Sequence, residues 1–198
     1  MKRLAVDIVL IPSADLFDQV LAINAELVRE HQSDIVLHAT RCLPHISLAM
    51  GGIDEADVVH VKPLLHTIRK DYPLDEPLRT RGLVYRTNTW GETVSSIELV
   101  KDQRLQQCHE KVMETIGPYF KVEVTEDMFV GNGPIAASSL KWVNTFKEKS
   151  AGEHFWPHIT LGYGKAKAVK IRGTFYAPLL KLCQLGNHCT CRKVLVSV

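Results

Sequence analysis

A chain of 198 residues has room for one domain, or for two small lobes that share an interface. Its hydrophobic content of 45% and charged content of 23% are ordinary for a soluble globular protein. A formal charge of +2 is too small for a broad polyanion-binding surface.

Residues 4–12 are rich in Val, Ile and Leu and read as a first strand. The opening resembles a signal peptide only superficially. Asp7 interrupts its apolar run, and Pro12-Ser13-Ala14-Asp15 leads straight into a helical pattern. The spacing of Leu16, Val20, Ile23, Leu27 and Val28 predicts a helix ending near His31, with Ser13 as its N-cap. A strand follows at 43–50 and stops at Gly51-Gly52. Residues 53–71 read as a second helix, acidic at its start (Asp54, Glu55) and basic at its end (Arg69, Lys70), with Pro63 as a kink. Strands at 79–87 and 92–100 form a hairpin turned through Thr87-Asn88-Thr89-Trp90-Gly91. A third helix covers 101–117 and ends before Pro118. Residues 124–137 give no clear assignment beyond a turn at Gly131-Asn132-Gly133-Pro134. A short helix from Ser138 or Ser139 to about Lys149 precedes a strand at 155–163, and two strand-like runs, 173–184 and 188–198, close the chain. Strands mixed with helices and joined partly by hairpins predict an α+β arrangement with mainly antiparallel sheets. No apolar run approaches the ~20 residues that cross a bilayer. The five cysteines, Cys42, Cys108, Cys183, Cys189 and Cys191, are an odd number in a chain too long for a disulfide scaffold, which points to a reducing cytoplasm.

One phrase occurs twice with only a Ser/Thr exchange: Pro44-His45-Ile46-Ser47-Leu48 and Pro157-His158-Ile159-Thr160-Leu161. On a strand, His and Ser/Thr share one face while Ile and Leu share the other. The apolar pair anchors each strand and leaves an imidazole beside a hydroxyl. A lone copy would pass for an ordinary strand; packing does not require His at both places. Two such strands facing one cleft suit acid–base chemistry on a phosphate ester. One imidazole takes a proton from the attacking hydroxyl or water while the other protonates the leaving oxygen, each worth roughly 10²–10⁴-fold in rate. With histidine references near ~6.5, a bell-shaped profile with limbs within a unit or two of that value is expected. The Ser47 and Thr160 hydroxyls can donate to non-bridging phosphoryl oxygens. The design calls for no metal and no cofactor.

The paired motifs resemble the signature of the two-histidine (2H) phosphoesterases, a family that includes 2′,3′-cyclic nucleotide phosphodiesterases and proteins named 2′-5′ RNA ligases. Three other stretches look like this group: Val6 to Pro12, Phe155-Trp156-Pro157, and Gly186 to Cys191. The resemblance spans residues 1–198 as one bilobal domain. It implies two pseudo-symmetric lobes flanking an active cleft, catalytic His45 and His158, phosphate-binding Ser47 and Thr160, and a nucleotide 2′,3′-cyclic phosphate or an RNA terminus as partner, bound by a monomer away from any membrane. Many relatives carry an Arg shortly after the second motif. Here Gly162-Tyr163-Gly164 follows, so that contact is absent or moved elsewhere, with Lys165 as a candidate. The rival reading is a non-catalytic nucleotide- or RNA-end-binding module.

Other residues weigh less. His188-Cys189-Thr190 is a third H-x-T, but it lacks the Pro and the Ile-x-Leu pattern, and Cys189 and Cys191 suit the buried face of a terminal strand. Cys183, His188, Cys189 and Cys191 do not match the paired spacing of zinc sites. His60 and His66 lie six apart, off any one helical face, and Cys42 is assigned to packing. Trp156 and Tyr163 bracket the second motif and are candidates for stacking on a nucleobase, with core packing as the alternative. No Walker-type loop or dinucleotide fingerprint is present, which argues against an ATP-dependent ligase.

Overall fold

The computed structural model describes residues 2–72, 76–87, 91–131 and 133–198. Strand β1 (Arg3–Ile11), apolar but for Arg3 and Asp7, is buried on both faces from Leu4 onward. Leu4, Val6, Ile8 and Leu10 enter the main core, while Ala5, Val9 and Ile11 join two smaller clusters on the other side. Asp7 falls on that second side. Helix α1 (Ala14–His31) buries Leu16, Val20, Ile23 and Leu27 along the predicted stripe. Ser13 precedes it without a side-chain cap; its hydroxyl instead accepts from the Tyr176 backbone N–H at 3.3 Å.

Strand β2 (Ile46–Asp54) runs through Gly51-Gly52 instead of stopping there. A Cβ on Gly51 would lie 2.4 Å from Phe120 Cγ, and one on Gly52 would lie 2.5 Å from the Val122 carbonyl oxygen. The glycines are there for close approach of another segment, not for a turn. After a 3₁₀ turn at Glu55–Asp57, α2 (Val58–Asp71) contains Pro63, and His60 and His66 are both exposed on it. The hairpin is present as β3 (Leu78–Thr87) and β4 (Thr93–Leu99). Of its connection, Asn88, Thr89 and Trp90 lie outside the described residues. So does Asn132 of the second turn.

Helix α3 (Gln103–Ile116) starts two residues later than the sequence reading because Asp102 caps it, accepting from the Leu105 N–H at 2.9 Å. The next predicted helix is two, α4 (Ala137–Asn144) and α5 (Phe146–Lys149), broken at Thr145, whose hydroxyl donates to the Lys141 carbonyl. The second motif strand is β5 (His158–Tyr163). The run 173–184 divides into β6 (Thr174–Phe175) and β7 (Leu179–Gly186), with Pro178 between them, and β8 (Thr190–Ser197) closes the chain.

Among the described residues the strands form two four-stranded antiparallel sheets, β2-β1-β7-β8 and β5-β4-β3-β6. The orders correspond: each motif strand is outermost, beside the strand that precedes it in its own half. The helices cross over. Helix α1 links two strands of the first sheet yet packs on β5 of the second, and α3 links two strands of the second sheet yet packs on β2 of the first. One hydrophobic core therefore serves both lobes, with Ile46 and Leu48 meeting Ile159 and Leu161 in it. No helix among the described residues is long and apolar enough to cross a membrane.

Candidate active site

Both motifs alternate as their sequence requires. Pro44, Ile46 and Leu48 are buried while His45 and Ser47 are half-buried; Pro157, Ile159 and Leu161 are buried while His158 and Thr160 are half-buried. The structure brings all four polar side chains to one cleft of about 590 Å³ between the sheets. A second correspondence lies in the histidine rings. His45 Nδ1 is 2.7 Å from the Leu43 carbonyl oxygen, and His158 Nδ1 is 2.9 Å from that of Trp156. A carbonyl only accepts, so Nδ1 carries the hydrogen in both rings and Nε2 is left to exchange a proton.

A third correspondence is in the backbone. Opposite β1, Ile8 faces Ala49 and Val9 faces Ser47, so Leu48 has no partner. Opposite β4, Ser95 faces Gly162 and Ser96 faces Thr160, so Leu161 has none. The closing Leu of each motif is a β-bulge, a device that re-aims neighbouring side chains.

The electrostatics are set by burial. Desolvation lowers the pKa of His45, and its hydrogen bond to Leu43 opposes this only in part. Desolvation pushes His158 down to about 4, helped by the nearby His45 and Arg86. Asp7 is wholly buried behind Ser47 and His45, and burial raises its pKa well above the carboxylate range. Its Oδ2 accepts from Ser47 Oγ at 2.6 Å and lies 3.7 Å from His45 Nε2. That approach is a poor ion pair at neutral pH, since burial disfavours charge on both partners. The Ser47 hydroxyl is thus engaged, whereas the Thr160 hydroxyl has no hydrogen-bond partner among the described residues.

Trp156 lines the cleft with its ring stacked on His158 at 3.9 Å, and the Arg86 guanidinium sits 3.5 Å from its centroid. Tyr163 also lines it, with its hydroxyl 3.0 Å from His188 Nδ1. Arg86, from the end of β3, faces the cleft together with Lys141 and Lys149, whereas Lys165 is exposed and lies 5.3 Å over the Tyr85 ring. His188 is not part of a strand. With Cys189 it forms a left-handed turn (φ 58° and 53°) between β7 and β8 that holds its ring in the cleft. Cys189 accordingly sits in the turn, and only Cys191 lies on the buried strand face.

The four-residue Cys/His group weighed from sequence is not the set that converges. Asp7, His45 and Cys191 instead bring one donor atom each within 4.8 Å of one another. Carboxylate, imidazole and thiolate together would suit a thiophilic divalent cation, at the cost of occupying His45. Cys42 is buried, in keeping with packing.

Sequence reasoning missed Asp7, Arg86 and Trp142. Asp7 was visible as one carboxylate inside an otherwise apolar strand. Trp142, 45% exposed on α4 and next to Lys141 on the cleft wall, left only the signal of an aromatic beside a lysine. Arg86, one of several basic residues on β3, left none.

No family model matches the chain, and no curated protein matches it in sequence. Its structure is similar to the crystal structure of TT0787 of Thermus thermophilus, with a TM-score of 0.58 at 15% identity, covering 98% of this chain and 96% of that one. The apo form of LigT from E. coli aligns with a TM-score of 0.47 at 13% identity, covering 100% and 98%. The first of these likenesses shows a shared fold over essentially the full length of both chains.

Proposed function

We propose that this protein is a two-histidine phosphodiesterase that opens 2′,3′-cyclic phosphates of nucleotides or RNA ends without a metal, acting in the cytoplasm. The observation that carries the reading is the pair of imidazoles in one cleft, each with Nδ1 tied to its own backbone and Nε2 as the working nitrogen.

In this reaction one Nε2 takes a proton from water as the water oxygen forms a bond to phosphorus. The other Nε2, protonated, gives its proton to the 2′ or 3′ oxygen as that P–O bond breaks, leaving a phosphomonoester. Thr160 and Arg86 hold the charge on the non-bridging oxygens, and Ser47 joins them only by turning its hydrogen away from Asp7. Tyr163 flanks the base, and Trp156 does so once Arg86 leaves its ring for the phosphate. In the reverse direction a ribose hydroxyl replaces water and the histidine roles exchange, which is ligation.

A second reading has one observation in its favour. With His158 held near 4, its acid form is scarce in the free protein at neutral pH, as a nucleotide-binding module would tolerate. A bound phosphate restores the enzyme reading, because an anion beside the ring favours the imidazolium. The test is incubation with 2′,3′-cyclic nucleotides and cyclic-phosphate-ended RNA, followed by identification of the product. A phosphomonoester is the expected result; tight binding of these compounds with no turnover would establish the binding module.

A further inference from the structure

Each motif bulge leaves a peptide carbonyl outside the ladder, and a buried carbonyl needs a donor. The two donors come from crossed positions. Leu161 O of the second motif accepts from Asn24 Nδ2 at 2.7 Å, and Asn24 lies on α1, in the half of the chain that carries the first motif. Leu48 O of the first motif is 2.7 Å from His109 Nδ1, and His109 lies on α3, in the half that leads to the second motif.

Both donors are buried and fully used. Asn24 is 2% exposed; it also donates to Ile35 O and accepts from the Leu37 N–H, fixing the segment that walls the cleft beside the second motif. His109 is 0% exposed, and its Nε2 accepts from the Gly152 N–H at 2.9 Å, so the ring is neutral with its proton on Nδ1. Gly162 completes the fit on one side: its φ is +145°, and a Cβ there would lie 2.8 Å from Ser33 Oγ and 3.3 Å from Asn24 Nδ2.

We infer that Asn24 and His109 are positioning residues for the two catalytic strands, each fixing the bulge that aims the histidine and hydroxyl of the opposite motif. Neither touches substrate. The inference rests on the two-histidine reading for its catalytic consequence, but the crossed coupling is a property of the folded chain and is measurable without turnover. Apolar packing alone would ask for Leu or Val at both places.

The test is nitrogen-15 NMR of the histidine rings in the full chain, together with steady-state kinetics on a 2′,3′-cyclic nucleotide. Asn24→Asp keeps the shape and the acceptor for Leu37 N–H but sets an oxygen against Leu161 O. It is expected to move the His158 ring resonances and leave those of His45 in place, although Asn24 lies only 21 residues from His45 in sequence and 134 from His158. His109→Leu is expected to move His45, and His109→Asn, which retains a donor near the position of Nδ1, to move it less. In kinetics, a misaimed strand lowers kcat by about tenfold or more with KM within about twofold, since misplacement of ~1 Å can cost up to 10²-fold. Should Asn24→Asp not fold, Asn24→Ser removes the reach without adding an opposing charge. Folded variants with both histidine spectra unchanged, or Asn24 variants that perturb His45 and spare His158, would overturn the crossed assignment. Crossed spectral shifts in a protein without turnover would keep this inference and sink the enzymatic reading.

Discussion

Ser47 donates its hydroxyl hydrogen to the buried Asp7 across 2.6 Å, beside His45. The carboxylate is fully buried, and its other oxygen accepts nothing from the described residues. A buried carboxyl with one partner is a stability cost whenever it ionises.

The sign follows from the raised pKa of Asp7. In the unfolded chain it loses its proton near ~3.9, while in the fold it keeps it to higher pH. The native state is therefore favoured by this group below the unfolded value and loses that advantage as pH rises through the folded one. Asp7→Asn retains an acceptor for Ser47 and cannot ionise. Its Tm is expected to exceed wild type at pH 7 and to converge with it towards pH 4, each unit of pKa shift being worth about 1.4 kcal/mol. A Tm below wild type at pH 7 would show that the charge is compensated elsewhere in the site.

The two motif hydroxyls should behave differently. Ser47→Ala leaves Asp7 Oδ2 without its donor and is expected to destabilise the fold by about 1–3 kcal/mol. Thr160→Ala breaks no hydrogen bond among the described residues and is expected to leave Tm near wild type while lowering kcat/KM by roughly 10- to 100-fold. Thermal melts and kinetics on the two variants check this, and equal melting losses would contradict it.

The pH profile should depart from the one that reference values give. Burial lowers His45 and sets His158 near 4, so the free-enzyme bell, read in kcat/KM, is expected on the acid side of ~6.5. Bound phosphate favours the imidazolium, so the kcat profile should lie at higher pH. The limbs report the coupled pair and not single residues. Coincident profiles centred above 7 would contradict the burial argument.

Gly51→Ala should destabilise β2, because the added methyl would fall 2.4 Å from the Phe120 ring. Overpacking of this kind costs typically about 1–3 kcal/mol. A denaturation midpoint equal to wild type would mean that the Phe120 segment moves freely.

The sequence-level reading succeeded where local pattern carried the information. Alternation around His45 and His158 placed both strands and both faces, and the stripe from Leu16 to Leu27 placed α1. It failed where the cause was a distant neighbour. Gly51-Gly52 looked like the end of a strand because nothing local marks the approach of Phe120 and Val122. Asp7 was noticed only as an interruption, since its partner Ser47 is 40 residues away. Asn24 and His109 left no local signal, because the carbonyls they hold are 137 and 61 residues distant. His188 was read as part of a strand because two consecutive left-handed residues without glycine are not expected from sequence.

The central claim is that two imidazoles do the chemistry, and one comparison tests it most directly. Wild type, His45→Ala and His158→Ala are assayed side by side on a 2′,3′-cyclic nucleotide, with and without chelator, and binding of the nucleotide is measured in parallel. The account predicts that each substitution lowers kcat by at least about 10²-fold with binding largely retained, and that chelator changes nothing. Wild-type turnover in either variant, or activity lost to chelator and restored by a divalent cation, would contradict it.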